Sequence, residues 1–191
     1  MDVGAAARSV PVVDLAILAG LFGWFILGVM QGSIRRILGI ISTVFAFLLA
    51  ANLRGIVGDY LADHWHQFSA GYNHLLAFVI LFCAMAVAFS VLIQGFYKRT
   101  DIYAAKPIVD DIIGGLLGLL QGFILLMIAV IILGSYSVPD SFPGEVDQLR
   151  WAHDLLINQS HIGVAILDVF VPPIVHILSG LLPSDLVAIF P

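Results

Sequence analysis

The chain has 191 residues, 61% hydrophobic and only 11% charged, with a mean hydropathy of +1.06. Soluble domains average roughly 45–50% apolar and about 25% charged, so a soluble globular class is excluded: its surface could not absorb this much apolar area. The formal net charge is −5 and the eight basic residues are dispersed, which leaves no basic stripe for nucleic acid.

Residues 1–11 read as a short flexible tail. The first apolar run, about 12–30, contains one charge, Asp14, near its start. An acid there is expected to cap its own helix or sit in the first turn, where the helix dipole favours an anion. A cleaved signal peptide is excluded, because no small-residue cleavage pattern follows and three further apolar runs do. The connection QGSIRR, Gln31 to Arg36, leads into a second run at about 34–53. Gly28 and Gly32 flank that turn and are expected to let the two helices approach closely, or simply to punctuate the loop.

Arg54 to Asn73 form a polar connector whose DYLADHWHQF stretch reads as an interfacial turn of helix. His64 and His66, with Asp59 and Asp63, supply zinc-ligand types, but their spacing does not match a structural zinc site. No metal or cofactor is expected. The third run, about 75–96, holds the sole cysteine, Cys83, read as a small buried hydrophobe, and ends in the Tyr97-Lys98-Arg99 flank of a membrane surface. A polar crossover from Thr100 to Val109 follows.

The fourth run, about 112–136, opens with DDIIGGLLGLLQG, Asp110 to Gly122. Gly114, Gly118 and Gly122 recur every four residues and so share one helix face. In lipid such a face permits close helix contact, and Gln121 beside it offers an interhelical hydrogen bond. Asp110 and Asp111 are expected to cap this helix. The motif GVMQG, Gly28 to Gly32, repeats the G-x-x-Q-G order around Gln31.

Pro139, Pro143 and nearby acids mark an exit into water, and residues 139–191 read as an extracytoplasmic tail. Within it, residues 162–178 are apolar but hold Asp168, the Pro172-Pro173 pair and His176. Because a proline pair breaks helices and lipid penalises free backbone groups, two short interfacial segments are expected rather than a fifth crossing. The predicted fold is therefore all-α: a multi-pass membrane domain at 12–138 with four transmembrane helices, plus interfacial helical segments. With four crossings, five of the eight basic residues (Arg35, Arg36, Lys98, Arg99 and Lys106) share one side. The positive-inside rule makes that side cytoplasmic and both termini external.

Ser160 and His161 adjoin, but no nucleophile elbow, P-loop or dinucleotide fingerprint occurs, so an enzyme is not expected. The glycine motif and the four runs together resemble the CvpA (colicin V production) family of bacterial inner membranes. Asp14 matches an early aspartate of that family. Gly28 and Gly32, with Arg35 behind them, match its first glycine element, and Asp110, Gly114, Gly118 and Gly122 its second. The sequence departs from the pattern at Gln31 and Gln121, where relatives carry arginine, and at Arg36, where they usually carry an acid. The resemblance implies a multi-pass plasma-membrane protein of toxin production and envelope maintenance. Besides the lipid bilayer, the expected partner is another copy or a membrane or extracytoplasmic protein, met through the glycine face. A channel component and an anchor for an extracytoplasmic enzyme are the competing readings.

Overall fold

The structure is a computed structural model that describes residues 11–66, 68–96, 107–136 and 151–183. Arg8, Arg150, the Tyr97-Lys98-Arg99 flank with the crossover up to Lys106, and the proline-rich exit at 139–147 lie outside the described residues. The described chain is all-helical. Four long helices come first: α1 Val12–Gln31, α2 Ser33–His64, α3 Ala70–Phe96 and α4 Pro107–Tyr136. A short π-helical turn, Asp154–Asn158, then precedes α5, His161–Leu178. All five numbered helices are long and apolar enough to cross a membrane by length and composition. Large side chains such as Phe22, Ile41, Val87, Val91 and Leu116 stand exposed around the bundle, as a lipid-facing belt requires. Cys83 belongs to that exposed surface, not to the core expected for it.

α2 runs eleven residues beyond the expected end at Leu53, because Arg54 to His64 continue the helix. At 32 residues it is about 48 Å long, more than the ~30 Å of a hydrocarbon layer, so its polar end extends past the apolar part. That end is tied to the start of α3. His74 Nε2 lies 3.2 Å from Asp59 Oδ1, and the His74 ring occupies the place a side chain at Gly58 would take.

α1 packs mainly along α4, α2 mainly along α3, and α2 joins the two pairs by also packing on α4. The α1–α4 seam is set by glycine. A Cβ at Gly118 would fall 2.3 Å from the Trp24 carbonyl oxygen, and one at Gly28 would fall 2.2 Å from the Gly114 carbonyl oxygen. Gly122 faces the Trp24 side chain at 2.9 Å in the same sense. The stripe that suggested self-assembly is thus filled by the chain's own first helix.

The hydrophobic core gathers Phe47 from α2, Phe78 from α3, Met127, Ile128 and Val130 from α4, and Ile166, Val171 and Val175 from α5. Phe47 meets Phe78 edge-on at 5.7 Å, and Phe123 meets Phe170 likewise at 5.2 Å. α5 is one helical run, not the two separate segments expected. Its middle, Ile166–Phe170, widens to π geometry, where the Val171 N–H reaches the Ile166 carbonyl. Pro172 and Pro173 then fall in the first turn of the final α-helical stretch, where a missing N–H costs least.

Both ends of α5 are fastened toward the same end of the bundle. Its start is held by Asp14, 17 residues before the end of α1, about 26 Å along the axis. The turn after it is held by Asn52 Nδ2, which donates to the Leu181 carbonyl at 2.9 Å. Asn52 lies 19 residues into α2, about 28 Å from its start. Length and composition allow α5 to cross, but these fastenings hold both of its ends near the same level of the bundle.

Substituting Gly118 by Ala should force α1 and α4 apart and lower stability by about 1–3 kcal/mol, as overpacking does. Gly20→Ala, where a Cβ would meet nothing within 4 Å, should be neutral. Thermal unfolding in mild detergent compares the two; equal melting temperatures would refute a seam limited by glycine.

Candidate functional site: the polar interior of the bundle

Polar side chains inside an apolar bundle are costly unless satisfied, so each one present identifies a constraint. Eight polar or charged residues are buried among the described residues, including Asp14, Ser33, Arg36, Thr43 and Asp110. Most of these fall into three groups.

At the α1–α2 turn, Gly32 has φ +77°, the left-handed region that glycine adopts without strain. Its N–H closes α1 on the Gly28 carbonyl at 3.1 Å. A Cβ at Gly32 would also stand 2.7 Å from Asp110 Oδ2, so this position excludes a side chain twice over. Asp110 Oδ1 accepts from the Ser33 backbone N–H at 3.3 Å and from the Ser33 hydroxyl. The carboxylate of α4 therefore caps the N-terminus of α2, where free N–H groups and the helix dipole favour an anion. Asp110 lies in the first turn of its own helix, but the cap it supplies goes to α2 and not, as expected, to α4. Asp111, its neighbour, is half-buried.

Asp14 sits in the first turn of α1, as expected of it, and its carboxylate caps α5. Its Oδ1 accepts from the Ser160 hydroxyl at 2.5 Å and from the Ile162 N–H at 3.4 Å, while Oδ2 accepts from the His161 N–H at 3.3 Å. Ser160 is itself the N-cap, accepting from the Gly163 N–H at 2.8 Å. Two acids in the first turns of α1 and α4 thus each hold the start of a different helix.

The third group is a polar cluster beside the glycine seam. Arg36 Nη1 donates to Gln121 Oε1 at 2.8 Å, and Gln121 Nε2 donates to the Thr43 hydroxyl at 3.4 Å. Thr43 in turn donates to the Gly39 carbonyl at 2.8 Å. The Trp24 ring, seated against Gly122, covers Arg36 with 5.2 Å from ring centroid to guanidinium carbon. Gln121 and Arg36, both departures from the resemblance noted in the sequence, are hydrogen-bonded to each other. Gln31 and Arg35 line the same cleft.

The comparison with protein families decides what this framework belongs to. The family model for colicin V production protein matches residues 13–160, more than three quarters of the chain. The chain belongs to the colicin V production protein family. No curated relative and no solved structure matches it. The matched span takes in all four long helices and closes on Ser160, so it includes both ends of the Asp14 contact.

Of the residues singled out in the sequence, Gly28, Gly32, Asp110, Gly114, Gly118 and Gly122 meet along the α1–α4 seam and its turn. Asp14 stands apart at the opposite end of α1. Sequence reasoning missed Ser33, Thr43 and Trp24, and weighed Ser160 as a nucleophile but not as a cap. Ser160 did carry a signal, a serine immediately before an apolar run, which is the N-cap signature. Nothing local marked Ser33 as the partner of an acid 77 residues away.

Asp110→Ala should destabilise the bundle by about 1–2 kcal/mol through loss of the α2 cap. Asp14→Ala should instead loosen the start of α5 locally. Amide exchange at His161, Ile162 and Gly163 is expected to accelerate while α4 stays protected; unchanged exchange there would show that Asp14 does not hold α5.

Proposed function

We propose that this family member is a non-enzymatic protein of the bacterial inner membrane that supports production or export of colicin V-type toxins and upkeep of the envelope. The observation that carries this reading is the family match across the whole membrane domain. The polar interior fits a structural role, because both buried carboxylates are engaged in holding helix starts. The reading includes an orientation. Arg35 and Arg36 at the α1–α2 turn, with the basic residues of the second such connection, face the cytoplasm, and the N-terminus lies outside. The fastening of both ends of α5 near the level of Asp14 supports an external C-terminus as well.

Deleting the gene in a toxin-producing host should lower secreted toxin activity while toxin synthesis continues, and the wild-type chain should restore it. Secretion at the parental level in the deletion strain would overturn the role. Reporter fusions test the orientation. An external-side reporter should be active at the N-terminus and silent within 97–106, and the reverse pattern would invert the assignment.

A further inference from the structure

The cleft beside the glycine seam has a chemistry that capping does not explain. It has a volume of about 240 Å³ and is walled by Arg35, Arg36, Gln31, Ser42, Thr43 and Gln121, together with apolar residues of α1 and α3. Arg36 is only 3% exposed. Of its three guanidinium nitrogens, Nη1 is bonded to Gln121, while Nε and Nη2 are buried without a hydrogen-bond partner among the described residues. Those two unpartnered donors lie on the same edge of the planar guanidinium, the edge whose parallel N–H bonds match two oxygens of one carboxylate or phosphate.

The charge is as unbalanced as the hydrogen bonding. Among the described residues neither Arg35 nor Arg36 makes an ion pair. The nearby acid Asp110 is occupied by Ser33. Gln121 satisfies one N–H but brings no charge, and the Trp24 ring offers only its quadrupole. A water molecule could accept a hydrogen bond from the fork without neutralising it. Burying an uncompensated cation is strongly unfavourable, so the group that completes this site is an anion presenting two oxygens.

We infer that the Arg36 cleft binds a phosphate-type oxyanion, held by the Nε/Nη2 edge of Arg36, with Arg35 adding charge and the Ser42 and Thr43 wall bordering it. The head group of an anionic phospholipid and a free phosphate share this chemistry. A cleft of this size accommodates either, since a phosphate group occupies the space of only a few waters at about 30 Å³ each. The assignment does not rest on the proposed role in toxin production.

Two measurements on the full-length protein distinguish the sources. Inorganic phosphate is titrated calorimetrically into protein in neutral detergent. Separately, protein from nanodiscs of mixed phosphatidylglycerol and phosphatidylcholine is examined by native mass spectrometry for retained lipid. Saturable phosphate binding identifies a free anion, and selective retention of phosphatidylglycerol identifies a lipid head group; either result supports the site. Arg36→Lys keeps the charge but loses the fork, and should weaken binding about tenfold, the equivalent of one charge-assisted hydrogen bond. Arg36→Gln should abolish it. If Arg36→Gln does not yield a folded species, Ser42→Leu, which fills the cleft and leaves Arg36 intact, carries the test and should also abolish binding. Absence of both activities in the wild type would overturn the inference, as would binding equally strong in the Lys and Leu variants.

Discussion

The Gly28 carbonyl oxygen lies 2.6 Å from where a Cβ on Gly114 would stand, and the Trp24 carbonyl oxygen lies 2.3 Å from the Cβ position of Gly118. Backbone-to-backbone approach of this kind is the constraint on which the rest of the bundle depends. Lipid gives helices little hydrophobic reason to associate, so α1 and α4 gain from being close enough for dense van der Waals contact. That closeness has consequences at both ends of the seam. At one end it carries Asp110 to the α1–α2 turn, where the carboxylate meets Ser33 and leaves Gly32 no room for a side chain. Further along, Gly122 makes space for the Trp24 ring, which then covers Arg36. The glycines therefore position the polar interior without contributing any polar atom to it.

Asp14 and Asp110 show how a carboxylate becomes tolerable inside such a bundle. Each is placed at the N-terminus of another helix, where backbone N–H groups otherwise lack partners and the dipole is favourable. One acid thus resolves two desolvation problems, its own and that of the helix start. Both contacts also connect elements far apart in sequence, 77 residues for Ser33 with Asp110 and 146 for Ser160 with Asp14. Arg36 is the counter-example, a buried cation whose one hydrogen-bond partner among the described residues is neutral.

The distinction between contacts along a helix and contacts across the fold explains what the sequence disclosed. Hydropathy located the long helices, and the four-residue spacing of Gly114, Gly118 and Gly122 marks the face that lies against α1. The partner of that face was not legible, since glycine spacing says that something comes close and not what it is. Asp14 and Asp110 do lie in the first turns of their own helices, but only the fold reveals the second helix start that each of them caps. The reading of α5 failed at Pro172 and Pro173, where proline chemistry was judged for an ideal α-helix. The π-helical stretch before them changes the hydrogen-bond register and places both prolines where no donor is required.

The two fastenings of α5 give α1 an unusual mechanical position. One end of α1 is clamped to α4 by glycine contact, and the other is clamped to α5 by the Asp14 carboxylate. α5 in turn shares its core side chains with α2, α3 and α4 through Ile166, Val171 and Val175. A shift of α1 along α4 would therefore move Trp24 over Arg36 at one level and pull on Ser160 at another. The seam itself resists small shifts, because carbonyls lodged against glycine Cα atoms have few alternative registers. Beside the shared core, α1 links the Arg36 cleft to the Asp14 end directly, through Trp24 at one level and Asp14 at the other, and the segment it reaches is the start of α5, held by three hydrogen bonds to a single carboxylate.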